Sequence, residues 1–184
     1  GQRVVRLKGG DPFVFGLGSS EVLALVEAKI HFEIVPGLSA ATSLAGIAGA
    51  ALTVRSTVTS FCVLSGHYPP GHPQASDFDH LPRQSTLIVL MGRRHIHSIV
   101  ERLLNTGWNP NMPALLIESG TMNHEKIVSS QLTDVPKVAE GLSSPVTLVI
   151  GSGVALRDKL TPWLIETIYP ADSSTWGAAR EPNS

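Results

Sequence analysis

The stretch TLIVLMGRRHIHSIVERLLN, Thr86–Asn105, decides the fold. After Thr86 its next five residues, Leu87–Met91, are an unbroken apolar run, too short for a helix and including β-branched Ile88 and Val89. That reads as a strand buried on both faces, Thr86–Met91. A Met91-Gly92 turn follows. From Ile96 the apolar residues recur at helical spacing, with His97, Glu101 and Arg102 between them, which predicts an amphipathic helix over Ile96–Asn105. Strand, glycine turn and helix within twenty residues is the unit of an α/β architecture.

Working outward, the same alternation continues. Phe61–Leu64 reads as a strand, and Gly66–Gln84 as a long loop rich in Pro, Gly, His and Asp. Pro113–Glu118 is a strand ending in a Gly120-Thr121 turn. Lys126–Leu132 is another strand, Val135–Glu140 a short helix with Pro136 in its first turn, and Val146–Ile150 the last strand. Upstream, Val4–Leu7 reads as a buried strand running into Gly9-Gly10-Asp11-Pro12. Ser19 and Ser20 before Glu21 predict the cap of a helix reaching about Lys29. His31–Val35 is a short strand stopped by Pro36-Gly37. From Leu38 to Leu52 the chain is uncharged and rich in Ala, Gly and Ser, a helix whose small faces admit a close neighbour. The expected division is residues 1–56 as the C-terminal part of a first α/β domain, 57–169 as a second, and 170–184 as a disordered tail.

Of the 184 residues, 42% are hydrophobic and 16% charged, which suits a packed core, and the formal net charge of −1 gives no reason to expect nucleic acid or a membrane surface as partner. No apolar run approaches the ~20 residues of a membrane helix. The single cysteine, Cys62, rules out an internal disulfide and fits a reducing compartment. Dinucleotide binding fails: Gly16-Leu17-Gly18 and Gly151-Ser152-Gly153 each lack the third glycine and the downstream acid. Neither a phosphate-binding loop of the G-x-x-x-x-G-K type nor a G-x-S-x-G elbow is present, and the histidines show no metal-ligand spacing, so no metal is expected.

Four strand-end turns remain: Gly9–Pro12, Pro36–Ala40, Met91-Gly92 and Glu118–Thr121. Each presents backbone groups unobstructed by a large side chain. A neutral, planar, polar ligand such as adenine suits such turns. Asp11 is placed either to accept hydrogen bonds from ribose hydroxyls or to cap its own loop.

Taken in order, VVRLKGGDPFVFG (4–16), FEIVPGLSAATS (32–43), AGIAGAALTVR (45–55), SGH (65–67), TLIVLMG (86–92), IESGT (117–121) and GVALRDKL (153–160) resemble the tetrapyrrole methylase family, in its uroporphyrinogen-III C-methyltransferase branch. The resemblance spans residues 2–164. It implies two α/β domains with the cofactor cleft between them, the first incomplete here, and a homodimer. It implies S-adenosylmethionine as cofactor, with S-adenosylhomocysteine as its product, and contacts at Gly9, Gly10, Asp11, Val14, Ser39, Ala40, Met91 and Gly120. The implied reaction is the double C-methylation of uroporphyrinogen III to precorrin-2, in sirohaem or cobalamin biosynthesis, in the cytoplasm, or a plastid for a photosynthetic eukaryote. The substrate's eight carboxylates call for cations. Arg55 matches the family's arginine and is the substrate-binding candidate, with Arg6, Lys8, Arg93 and Arg94 behind it.

Three departures accompany the match. A leading portion of roughly 70–90 residues, if the first domain has ordinary size, is expected to precede Gly1 and to hold the catalytic acid or base. Leu17 and Ser20 stand where the family carries Arg and Glu, and Val54 where it carries His. Two classes of function follow from these features: an active methyltransferase represented in part, and a degenerate, non-catalytic relative acting as a binding or interaction protein.

Overall fold

The computed structural model describes residues 2–164. Its centre is a mixed five-stranded sheet of β1 (Phe61–Ser65), β2 (Thr86–Leu90), β3 (Pro113–Glu118), β4 (Lys126–Gln131) and β5 (Val146–Ile150), in the order β1-β2-β5-β3-β4. β1 and β2 pair in parallel, and β5 runs antiparallel to both β2 and β3. Hence β1, β2 and β3 all point one way, and their carboxyl ends share one edge of the sheet. β4 closes the far side, antiparallel to β3.

The three inner strands are apolar on both sides because both faces are covered. On one face, Leu87, Val89, Leu116 and Leu148 pack against α3 (Ile96–Asn105) and α4 (Val135–Glu140), with Phe78 and Trp108 closing the margins. On the other, Leu115, Ile117 and Val149 pack against Ala45, Ala48 and Ala50. Ala45 belongs to α2 (Ala40–Ile47), whose small side chains let its backbone lie close to the sheet. The C-terminal carbonyl of Ala48 just past α2 accepts a hydrogen bond from Arg157, so a cation satisfies a helix end that would otherwise be orphaned.

α1 (Gly18–Glu27) forms where a helix was predicted, but Ser19 and Ser20 lie inside it rather than capping it. Leu17 is the N-cap residue, with no side-chain cap bond, and Ser20 Oγ donates back to the Leu17 carbonyl at 2.9 Å. The two strands predicted at Val4–Leu7 and His31–Val35 do not form. Among the described residues, no strand of the sheet pairs with either segment. Val4, Val5 and Leu7 are 83–89% exposed, not buried. A strand is completed by its neighbour's hydrogen bonds, and sequence pattern alone does not supply the neighbour.

Candidate functional site

The site is built from backbone crossings. After residues 3–8, the chain turns at Gly9-Gly10, with Gly10 at φ +74°. Asp11 then secures two turns at once. Its Oδ1 accepts the Phe13 N–H at 2.9 Å, and its Oδ2 accepts the Gly37 N–H at 3.4 Å. Asp11 therefore caps its own loop and ties it to Pro36-Gly37, while each oxygen keeps a further lone pair. The two turns cross so closely that a Cβ on Gly37 would lie 2.2 Å from the Gly10 carbonyl oxygen. Two residues on, the Ser39 hydroxyl accepts the Ala41 N–H at 3.2 Å and caps α2. This local chemistry fixes where the glycine turn sits relative to the start of the helix.

Opposite these turns lie the carboxyl ends of β2 and β3. Between them is a cavity of about 480 Å³, within the usual size of small-molecule sites. All eight residues singled out as cofactor contacts line it: Gly9, Gly10, Asp11, Val14, Ser39, Ala40, Met91 and Gly120. The sequence reading missed Phe15, Leu90 and Thr121, and Ser43, Leu44 and Ile47 on α2, which line it too. The α2 residues recur at helical spacing, so their shared face was readable once Ala40 had been placed. Phe15, Met91 and Thr121 adopt φ of +50°, +58° and +68°. Side chains in the left-handed region are costly and concentrate where geometry serves a ligand. Each adjoins a glycine, so the turns were legible, but which residue takes the strained conformation was not.

A second hollow, of about 470 Å³, lies beside the first and shares Asp11, Val14, Phe15 and Ser39 with it; Phe13, Thr42 and Val63 complete much of its wall. Asp11 is the one ionisable side chain on either wall among the described residues. The expected cations lie elsewhere. Arg55 is exposed in the turn closed by the Val54–Val58 bridge and lines neither hollow. Arg93 donates from Nε to the Leu142 carbonyl at 3.0 Å, and Arg94 is exposed. Arg6 and Lys8 are both paired with Glu21, at 3.1 and 2.6 Å. The Lys8 ammonium, with Arg6 beside it, holds the Glu21 carboxyl below the ordinary carboxylate range. Among the described residues, no three His, Cys, Asp or Glu side chains come together as a metal site, and no helix is long and apolar enough to cross a membrane.

Comparison with known proteins agrees with this geometry. The family profile of the tetrapyrrole (corrin/porphyrin) methylases matches residues 1–136. Siroheme synthase 2 of Cronobacter sakazakii is 40% identical over 163 residues, which is 87% of this chain and 35% of that protein. Siroheme synthase of Methylococcus capsulatus is 41% identical over 164 residues, 87% of this chain and 34% of that protein. Among solved structures, the uroporphyrin-III C-methyltransferase of Thermus thermophilus in complex with S-adenosylhomocysteine superimposes with a TM-score of 0.70 at 36% identity, covering 82% of this chain and 64% of that one. A further structure of the Thermus enzyme gives a TM-score of 0.72 at 39% identity, over 84% and 66%. The chain thus spans about a third of the length of these curated relatives and under two thirds of the solved ones. With the profile covering most of its residues, the chain belongs to the tetrapyrrole (corrin/porphyrin) methylases.

Proposed function

We propose that this chain is the major part of an S-adenosylmethionine-dependent C-methyltransferase that converts uroporphyrinogen III to precorrin-2. One observation carries the reading: eight residues from four separate turns, chosen for cofactor contact, line a single cavity at the carboxyl ends of parallel strands. The solved relative that holds S-adenosylhomocysteine supports the choice of cofactor. The cavity's make-up fits that group, since turns with little side chain let backbone N–H and C=O reach a planar base, and Asp11 retains lone pairs for hydroxyls. When bound, the sulfonium supplies an electrophilic methyl group. The chain's own contribution is positioning. Gly9, Gly10 and Asp11 hold one side, the Ser39-capped start of α2 the floor, and Met91 and Gly120 the far side.

The acceptor, uroporphyrinogen III, would approach through the open side, with Arg55 as the cation for its carboxylates. A division near residue 56, a homodimer and a reducing, cytoplasmic setting complete the reading, as the family resemblance implies. The test is calorimetric titration of S-adenosylhomocysteine into this chain and into a version extended upstream to the natural start codon, followed by a methyl-transfer assay on uroporphyrinogen III. Binding and double methylation by the extended protein are expected. Folded protein that binds no S-adenosylhomocysteine in either form would overturn the proposal.

A further inference from the structure

The far wall of the cavity is the hairpin loop between β3 and β4. The two strands pair as far as Glu118 opposite Lys126, and residues 119–125 join them. Gly120 and Thr121 of that loop line the cavity. Its backbone is held in an unfavourable conformation, with Ser119 and Thr121 at φ of +50° and +68°. The left-handed region is costly for a residue with a side chain, and most of all for a β-branched one such as Thr121. The start of the loop is firmly seated. The Ser119 N–H donates to the Pro145 carbonyl at 2.9 Å, and the Met122 N–H closes back on the Ser119 carbonyl at 3.0 Å. Gly120 lies so close to α2 that a Cβ there would sit 2.6 Å from Leu44 Cδ2.

Thr121 itself is held by Glu125. Its N–H donates to Glu125 Oε2 at 2.6 Å. Glu125 is half-buried just ahead of β4, and its own N–H donates to the Met122 carbonyl at 2.9 Å. A hydrogen bond from a backbone N–H to a carboxylate is shorter than one between neutral groups and about twice as strong. It is therefore suited to offset the strain at Thr121. We propose that Glu125 is a positioning residue: by accepting the Thr121 N–H it keeps Thr121 in the left-handed conformation and fixes the Gly120-Thr121 wall at its distance from the Ser39-capped start of α2. Glu125 is not among the residues on the wall of either hollow, so it acts on a ligand through the turn. Without this bond Thr121 relaxes toward negative φ and carries the wall with it. A displacement of about 1 Å is enough to weaken the hold on a positioned ligand.

The inference rests on the cofactor reading above, and its test separates the two. S-adenosylhomocysteine is titrated by calorimetry into the upstream-extended protein and into its Glu125→Ala, Glu125→Gln and His124→Ala forms. Glu125→Ala should lose affinity about tenfold, the size of one charge-assisted hydrogen bond. Glu125→Gln, whose amide oxygen still accepts, should stay within about threefold of the parent. His124→Ala, at the exposed neighbour, should match the parent. Thermal midpoints should stay together, since residues 119–125 lie outside both apolar cores. Parent-like affinity in Glu125→Ala, or a loss in Glu125→Gln as large as in Glu125→Ala, would overturn the proposal. Hydrogen exchange at the Thr121 amide, followed by NMR without ligand, gives a second readout. It should be about tenfold faster in Glu125→Ala than in the parent, and equal exchange overturns the proposal. If the parent binds no S-adenosylhomocysteine, the cofactor reading fails and the exchange alone decides whether Glu125 holds the turn.

Discussion

Gly37→Ala puts the crossing of the two cavity turns to the test. The added Cβ would sit 2.2 Å from the Gly10 carbonyl oxygen, 2.8 Å from its carbon and 3.4 Å from the Asp11 nitrogen. All three are backbone atoms, so no rotamer change relieves the contact. The turns must part by about 1 Å to reach ordinary van der Waals separation. Overpacking of this kind costs about 1–3 kcal/mol. The Gly37 N–H to Asp11 bond, already 3.4 Å, would break at a further cost of about 1 kcal/mol. Against this stands a gain of at most about 1 kcal/mol from a stiffer unfolded chain. The net expectation is a loss of about 1–3 kcal/mol in urea unfolding, and a fall of about 10–100-fold in affinity for S-adenosylhomocysteine as the wall moves. Gly46→Ala is the control: a Cβ there meets nothing within 4 Å, inside α2, so it should stabilise by about 0.5–1 kcal/mol and leave binding unchanged. If Gly37→Ala matched the parent in both unfolding and binding, the close crossing would not define the site and the reasoning would fall.

Three further predictions concern the frame. His80 Nδ1 lies 2.8 Å from Asp77, and that hydrogen bond raises the imidazole pKa above its ordinary 6.5. Because the folded value is the higher one, the stabilisation is complete below pH 6.5 and disappears as pH rises through the folded value; an NMR titration should show the raised midpoint, and Asp77→Asn should bring it back down. Arg157→Met removes the donor from the Ala48 carbonyl and should cost about 1–2 kcal/mol by denaturant midpoint, with α2 amides exchanging faster with solvent. Leu116→Ala, at a side chain with no solvent exposure between the sheet and its helices, should cost about 2–5 kcal/mol, read from the same unfolding curves.

The second half of the chain was legible nearly residue for residue. α3, β3, α4 and β5 run over the spans their patterns predicted, because each has a clear period or apolar run and a local stop: Gly107 after α3, the Ser119-Gly120 turn after β3, Gly151 after β5. The first half was not. Val4–Leu7 and His31–Val35 have strand composition without strand structure, since strand formation needs a partner that composition does not reveal. The α1 cap was misassigned because two adjacent serines both fit the role, and only the Gly18–Pro12 contact placed the helix start ahead of them.

The sequence by itself singled out the four turns that line the cavity, because glycine, serine and aspartate after an apolar run mark backbone turns with little side chain in the way. Only the tertiary structure decided that these turns meet. Gly10, Ser39, Met91 and Gly120 are far apart along the chain. They converge because β5 lies between β2 and β3, antiparallel to both, which leaves the carboxyl ends of β2 and β3 on the same edge, facing the crossing of the glycine turn over Gly37. Strand order follows from which apolar faces bury best together, a property of the whole chain that no local pattern encodes. The cations were likewise settled by partners and not by type: Arg6 and Lys8 looked available in the sequence, and Glu21, thirteen residues beyond Lys8, holds them both.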